Sequence, residues 1–205
     1  MLVLCACTAS GPPGLDDPRA CADSRNCASA FPRGSWQFVH LIEFSLADGA
    51  GGTVIGVTVL DGQTIKCALT TTEGMTLFEA ESAGSLKVLR AVSPFDKPGF
   101  AQGLLADVRT IFVRPQAAPL CGMLDEGQSV CRYRNKSGIT DVMSTEDGCP
   151  RITTWTAAGL PDRTITAHDC SLNHGYQLAR SLVLQAVGKG GYILKMKLLR
   201  AQQGM

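Results

Sequence analysis

Hydrophobic residues recur with a period of two along most of the chain from residue 36 onward. The first such segment has one apolar face made of Trp36, Phe38, Ile42, Phe44 and Leu46. This alternation is typical of a β-strand with one buried side, and His40 lies on the same face. Turn-forming clusters at 48–52, 61–62 and 73–74 separate further alternating segments up to residue 90. We therefore predict a meander of about five antiparallel strands.

The period becomes helical at one place. Apolar residues recur three or four positions apart and form a single stripe made of Phe100, Leu104, Leu105, Val108, Ile111 and Phe112. Asp96 and Pro98 stand where a helix start is expected, and Pro115 and Pro119 prevent continuation. The pattern predicts one amphipathic helix, either packed on the sheet or acting as a lid over a hydrophobic concavity.

Strand-like alternation then resumes and continues to the end of the chain. The candidate segments are 129–134, 139–143, 152–156, 163–169, 176–184 and 192–198. Roughly ten strands in one sheet must curl, close or split. The fold predicted is mainly β: an incomplete, half-open antiparallel β-barrel of about ten strands, with one amphipathic helix covering its concave face.

Charge and composition exclude several functional classes. Lys and Arg number 19 against 18 Asp and Glu, which leaves a net charge of +1 and no basic field for nucleic acid. Hydrophobic residues reach 45% and charged residues 18%, a balance that excludes intrinsic disorder. No apolar run approaches the ~20 residues of a membrane-spanning helix.

Nine cysteines, without any C-x-x-C pair, are spread along the chain. This usage favours disulfides and an oxidising compartment, with buried free thiols in a cytosolic protein as the alternative. Close pairs that could be bridged are Cys21/Cys27, Cys121/Cys131 and Cys149/Cys170. Cys67, in the middle of a strand pattern, is the candidate for an unpaired thiol.

The N-terminus, MLVLCACTAS, is similar to the end of a bacterial lipoprotein signal peptide. Leu4-Cys5-Ala6-Cys7 resembles a lipobox, in which Cys7 would be the acylated residue; two incidental cysteines are the alternative. The Pro- and Gly-rich stretch that follows cannot bury a core. We therefore expect a residual signal segment over 1–6, a flexible tether over 7–34 and a folded domain over 35–205.

Residues that could carry catalysis or hold a metal are few. His168, Asp169, Cys170 and His174 are close in sequence, but strand-like flanks favour a surface turn over a zinc site. No G-x-S-x-G motif is present, and His40 on an apolar face is best explained as a hydrogen-bonded core residue. We expect no enzymatic activity, no metal and no cofactor.

The order of elements resembles the LolA/LolB superfamily, especially its LolB-type outer-membrane lipoproteins. The resemblance rests on Cys7, the block VIGVTVLDGQTIKCALTTTEGMTLFEAE, the helix FAQGLLADVRTIFV and the closing pair YQLARSLVLQ and GYILKMKLLR. It implies a monomeric half-barrel that binds acyl chains of lipoproteins or another lipid, anchored in the inner leaflet of the outer membrane and facing the periplasm. The implied cavity residues are Phe44, Val57, Phe78, Leu104, Val108, Phe112, Leu182 and Leu194.

One turn departs from the family pattern. LolB-type proteins expose a membrane-inserting leucine in a loop that matches Thr72–Met75 here, and Glu73 stands nearest its place. A carboxylate opposes insertion, so either Met75 makes the apolar contact or the protein binds lipid without delivering lipoproteins. A structural or assembly lipoprotein that binds a protein partner without carrying lipid is the alternative function.

Overall fold

The computed structural model describes residues 11–21, 25–124, 127–136, 138–188 and 190–204. The helices are α1 (Arg25–Ala28) and α2 (Phe100–Phe112). The strands are β1 (Asp16–Ala20), β2 (Trp36–Leu46), β3 (Gly51–Asp61), β4 (Thr64–Thr70), β5 (Thr76–Ala83), β6 (Ser85–Ala91), β7 (Leu120–Met123), β8 (Ser129–Asn135), β9 (Gly138–Ser144), β10 (Pro150–Trp155), β11 (Pro161–Asn173), β12 (Tyr176–Ala186) and β13 (Tyr192–Gln203).

All thirteen strands form one antiparallel sheet. The order is β1-β7-β8-β9-β10-β11-β12-β13-β2-β3-β4-β5-β6, and β1 and β6 are its two unjoined edges. The predicted open, mainly β architecture with an amphipathic helix is confirmed. The predicted number of strands, about ten, was too low because β1 and β7 are short and lack an apolar alternation.

The sheet curls around α2. Asp107 of the helix bonds Arg163 on β11, and Arg109 bonds Ser82 on β5. Six strand spacings separate β11 from β5, about 29 Å in a flat sheet. A helix is only about 10–12 Å across. Contacts from one helix to both strands therefore require a concave sheet.

Strand alternation decides which side chains face the concave side. Phe38, His40 and Ile42 of β2 are buried there, opposite Thr58, Gly56 and Val54 of β3. The predicted inner face of β3, which contains Val57, is therefore the outer one. Both faces of β3 are apolar enough that the pattern did not distinguish them.

Helix α2 matches the predicted stripe, but its N-terminus begins differently. Gly99 is the N-cap residue, with φ of 84° and no side-chain cap, so Asp96 and Pro98 lie before the helix. The side chains buried by α2 are Ala101, Leu105, Asp107, Val108, Ile111 and Phe112. No helix in the described part of the chain has the length and apolar character needed to cross a bilayer.

We expected a flexible tether over 7–34, but residues 16–21 and 25–34 are part of the folded domain. β1 pairs with β7, and Phe31 is buried. Arg132 donates to the Pro13 carbonyl at 2.8 Å while its guanidinium holds both carboxylate oxygens of Asp141 at 2.7 Å. Cys7 and the expected signal segment 1–6 lie outside the described residues.

Disulfides attach this segment to the sheet. Cys21 is bonded to Cys121 and Cys27 to Cys131, so the expected pairs Cys21/Cys27 and Cys121/Cys131 are wrong. Cys149–Cys170 forms as the spacing suggested, and Cys67 is a buried free thiol. The two crossed bridges join residues about a hundred positions apart, a connectivity that spacing alone does not reveal.

Candidate functional site

A cavity of about 300 Å³ lies between the first half of α2 and the concave face of the sheet. Its wall is almost entirely apolar; the polar side chains are Lys97, Asp107 and Tyr192. The lining residues are Ile42, Phe44, Leu46, Val54, Leu69, Pro94, Phe95, Lys97, Gly99, Phe100, Gly103, Leu104, Asp107, Tyr192 and Leu194.

Missing side chains shape this space. Gly103 faces it from the helix, and a Cβ there would meet nothing within 4 Å. On β3, a Cβ at Gly56 would lie 2.5 Å from Cδ1 of Ile42, so only glycine lets that isoleucine lie across the strand. The cavity is therefore left open at Gly103 on the helix side, and no side chain projects into it from Gly56 on the sheet side.

The second half of α2 closes the inner end of the cavity. The ring of Phe112 stacks on Phe38 with centroids 4.7 Å apart, and Trp36 lies 5.4 Å from Phe38 and 5.9 Å from Tyr176. A residual void of about 30 Å³, which shares Ile42, Leu69, Leu104, Asp107 and Leu194 with the larger cavity, separates the two regions. The groove beneath α2 is thus hollow at one end and packed at the other.

The hollow end opens at one rim of the half-barrel. We call this end of the half-barrel the entry rim. Because neighbouring strands are antiparallel, the same turns and loop meet at this end. They are the turns 47–50, 71–75, 135–138, 156–160 and 187–191, together with the segment 92–99. Exposed lining residues Leu46, Pro94, Lys97 and Gly99 belong to this rim. A ligand would therefore enter beside the N-terminus of α2.

Buried polar groups hold α2 over the sheet. Asp107 accepts hydrogen bonds from Arg163 Nε and from the Tyr192 hydroxyl, both at 2.6 Å. Burial raises the pKa of the Asp107 carboxyl, against these two hydrogen bonds and the positive charge of Arg163, which lower it. Burial also raises the pKa of Tyr192, and the Asp107 charge adds to this effect. The helix is therefore tied to β11 and β13 by one carboxylate.

His40 lies at the inner end of the groove. It is 2% exposed, borders the small void, and its ring contacts those of Phe38 and Phe112. Burial lowers the pKa of the imidazole from 6.5 to about 4, so the ring is neutral at physiological pH. The prediction that His40 is a core residue is correct. Its contacts in the structure are with aromatic rings, whereas the sequence had suggested a hydrogen bond.

The eight residues that the family resemblance implies for the cavity do not all lie at one site in the structure. Phe44, Leu104 and Leu194 line the larger cavity, while Val108 and Phe112 border only the small void. Val57 touches that void from a strand position whose side chain belongs to the outer face. Phe78 and Leu182 are core residues outside both linings.

Sequence reasoning missed the glycines and the polar wall. Gly103 and Gly56 leave no periodic signal because they contribute by lacking a side chain. Asp107 interrupts the apolar stripe of α2, and that charged residue on a buried face was the available indication of a polar contact. Tyr192 was assigned to an apolar face without its hydroxyl being considered.

The turn that carries Glu73 and Met75 lies on the entry rim, and both side chains are exposed. A hydrogen bond from the Thr72 hydroxyl at 2.6 Å lowers the pKa of Glu73, so this carboxylate stays ionised. Met75 is 58% exposed.

Metal-binding geometry is limited to one cysteine group among the described residues. The sulfurs of Cys21, Cys27 and Cys121 lie within 4.8 Å of one another, but each belongs to a disulfide. Cys170, part of the zinc alternative considered from sequence, is bonded to Cys149. None of these sulfurs is therefore available as a thiolate ligand for zinc.

Comparison with known proteins identifies the fold. No family model matches the sequence, and no curated protein matches it. A LolA-superfamily protein from Nitrosomonas europaea is 9% identical, with a TM-score of 0.54 over 88% of this chain and 91% of that one. A DUF1329-family protein from Desulfovibrio piger is 7% identical, with a TM-score of 0.52 over 87% and 89%. The chain therefore has a LolA/LolB-like fold, as the order of its strands and helix predicted.

Proposed function

We propose that the chain is a monomeric lipoprotein, anchored to the outer membrane through acylated Cys7 and facing the periplasm. Its cavity binds an acyl chain of a lipoprotein or of another lipid-linked product and assists its transport or localisation in the cell envelope. The observation that carries this proposal is the apolar cavity of about 300 Å³, roofed by α2 and open at the entry rim.

The cavity wall suits a hydrocarbon chain. Phe44, Phe95 and Phe100 supply aromatic surface at the wide end, and Leu104 and Leu194 continue the apolar wall inward. Transfer of an acyl chain from water into such a space is favourable in proportion to the apolar area removed from solvent. The one carboxylate at the wall, Asp107, is already neutralised by Arg163.

The cavity volume limits the size of the ligand. A void of about 300 Å³ is at the lower end of the range for ligand pockets, about 300–1,000 Å³. We infer that this conformation accepts a single acyl chain. To admit the several chains of an acylated protein, α2 would have to move away from the sheet and break the contacts of Asp107.

The exposed turn on the entry rim argues against delivery of the LolB type. Glu73 is ionised at the position nearest the inserting leucine, and charged groups are costly inside a bilayer. Met75 is the apolar residue of this turn that could touch lipid. We infer that the protein binds its lipid ligand without using this turn to insert it.

Cavity filling tests the proposal. Gly103→Leu places a side chain in the open space, and Gln102→Leu is the matched control on the exposed side of the same helix. We expect the full chain, purified without detergent, to bind palmitate at equimolar ratio in native mass spectrometry. Gly103→Leu should weaken binding by about tenfold or more, since overpacking a filled site costs ~1–3 kcal/mol, whereas Gln102→Leu should bind as wild type does.

Two results would contradict the acyl-binding proposal. One is a wild-type chain that carries no lipid and takes up neither fatty acid nor phospholipid. The other is unchanged palmitate affinity in a folded Gly103→Leu variant, because the bound chain would then lie outside the cavity.

The alternative function, partner binding without lipid, has one supporting observation. Edge strand β6 has a single neighbour in the described sheet and exposes Val88 and Leu89. Such an edge can accept a strand from another protein. Val88→Lys should abolish a partner crosslink if this edge is the contact, and palmitate binding should be unaffected.

A further inference from the structure

Exposed aliphatic side chains are concentrated on the turns of the entry rim. Leu46, Met75, Leu160 and Val187 are 40%, 58%, 56% and 55% exposed. Single exposed apolar residues are ordinary, but four on the turns of one rim form a pattern. At the opposite rim, the described residues of this kind beside turns or the helix end are Val113, Met123 and Leu172.

Hydrogen bonds between neighbouring turns make this rim one continuous surface. The Val187 amide donates to the Asp162 carbonyl at 2.9 Å, which joins the 187–191 turn to the start of β11 beside Leu160. The Ala47 amide donates to the Gly191 carbonyl at 3.0 Å, which joins the same turn to the end of β2 at Leu46. Leu160, Val187 and Leu46 therefore follow one another along a fixed edge.

The described chain also begins at this rim. Gly11 and Pro12 line a surface groove of about 480 Å³ together with the turns 135–138 and 156–159. Gly11 comes four residues after Cys7, a reach of at most about 14 Å. Because Pro13, strand β1 and Phe31 are held to the sheet, an anchor at Cys7 would leave only this short stretch between the bilayer and the domain.

We propose that the entry rim docks on the surface of the phospholipid bilayer, with Leu46, Leu160 and Val187 inserted among the lipid head groups. This inference rests on the proposed lipid-binding function. The mouth of the cavity opens at the same rim, so an acyl chain passes between bilayer and cavity without crossing water.

The charges of the rim do not drive docking. Arg134 and Lys136 flank the groove beside Gly11, and Lys97 lies at the cavity mouth. Asp48, Glu73 and Asp96 are exposed on the same rim, so its described charges are balanced apart from Lys189, which the sequence places in the 187–191 turn. Docking therefore depends on the apolar turns and persists at high salt, unlike attraction of a basic patch to anionic lipid.

The two tryptophans of the chain provide a built-in probe of orientation. Trp155 ends β10 at the entry rim, next to Leu160, whereas Trp36 begins β2 at the opposite rim and is buried. The test uses the full chain with Cys7→Ser, which removes the anchor, and vesicles of phosphatidylethanolamine and phosphatidylglycerol brominated near the head groups. We expect quenching of Trp fluorescence that is lost in Trp155→Phe and retained in Trp36→Phe.

Charge substitution tests the inserted residues directly. The double change Leu160→Asp with Val187→Asp should lower vesicle binding of the Cys7→Ser chain by about tenfold or more, since burying one aliphatic side chain corresponds to about that factor. Leu172→Asp, at a residue that is even more exposed but lies at the opposite rim, is the control and should bind vesicles as the parent does. All variants should keep their palmitate affinity in solution.

Three results would overturn the docking proposal: no vesicle binding by the Cys7→Ser chain, binding that survives the double substitution, or quenching carried by Trp36. None of them affects the proposed function if palmitate binding is intact. Conversely, vesicle binding without palmitate binding would contradict the acyl-binding function and leave the docking surface in place.

Discussion

A neutral histidine in an apolar groove makes the stability of this protein sensitive to mild acid. His40 pairs with Gly56 across the β2–β3 ladder, and the centroid of its ring lies 6.2 Å from that of Phe38 and 5.9 Å from that of Phe112. Burial lowers its pKa to about 4, while the unfolded chain titrates at 6.5. The folded state therefore binds fewer protons between these values, and stability falls as pH falls from 6.5 to about 4.

The size of this effect can be measured by urea unfolding. At pH 5 the wild type should have lost about 2 kcal/mol of unfolding free energy relative to pH 7.5, by 1.36 kcal/mol per pKa unit. His40→Leu should lose much less over the same range because it has no group to protonate in this core. His168→Gln, which removes an exposed histidine, should behave as wild type does. Equal pH dependence in wild type and His40→Leu would refute the assignment.

Helix α2 was predicted well because its signal is local. An apolar stripe with a period near 3.6 is present whatever the helix packs against, so residues 100–112 could be assigned from the sequence. The cavity beneath it could not, since it depends on Gly103 and Gly56, and on how far the sheet curls. The face of β3 was also misassigned, because Val57 and its outer neighbours are as apolar as the inner residues.

The attachment of α2 to the sheet depends on one buried ion pair. Arg163→Met would leave the Asp107 carboxylate with only the Tyr192 hydroxyl, in a site where 5% of its side chain is exposed. We expect a loss of about 3–5 kcal/mol in unfolding free energy, typical of an uncompensated buried charge. Asp107→Leu combined with Arg163→Met removes that charge and should be more stable than Arg163→Met alone.

The pH dependence of these two variants distinguishes charge from packing. Without Arg163, the pKa of Asp107 rises further, so protonation stabilises the folded Arg163→Met chain as pH falls from 7 to 5. His40 is present in both variants and cancels in the comparison. The stability gap between the single and double variants should narrow in acid, measured by urea unfolding. If the stability difference between the two variants did not change with pH, the loss of stability in Arg163→Met would come from the lost packing of the Arg163 side chain and not from the unpaired charge.

At the scale of the whole molecule, two crossed disulfides replace the flexible tether that composition suggested. Pro-rich sequence without apolar alternation normally indicates a linker, and β1 has no buried side chain of its own. Covalent bonds from Cys21 and Cys27 to the β7–β8 hairpin hold this segment on the sheet, which the burial of its side chains alone would not do. Sequence patterns report burial, so a segment held by cross-links was assigned incorrectly.

The contribution of these cross-links should follow the length of chain they close. Cys27–Cys131 spans 104 residues and Cys149–Cys170 spans 21. Because Cys21–Cys121 already closes nearly the same loop, removing Cys27–Cys131 alone reopens a ring of only about 16 residues and should cost about 3 kcal/mol, about as much as removing Cys149–Cys170. Removing both crossed bridges reopens the long loop as well and should cost about 8 kcal/mol. Equilibrium unfolding of the variants checks this, and the explanation would be contradicted if removing both crossed bridges cost no more than removing Cys149–Cys170.

The connectivity itself can be read from peptide fragments, because cleavage sites separate all four cysteines of the crossed pair. Arg25 lies between Cys21 and Cys27, and Glu126 lies between Cys121 and Cys131. Digestion of the unreduced protein with trypsin and a glutamate-specific protease should yield linked peptides that join Cys21 to Cys121 and Cys27 to Cys131. Peptides that join Cys21 to Cys27 would instead release residues 11–31 from the sheet. The anchor would then gain a long tether, and the fixed approach of the entry rim to the bilayer would be lost.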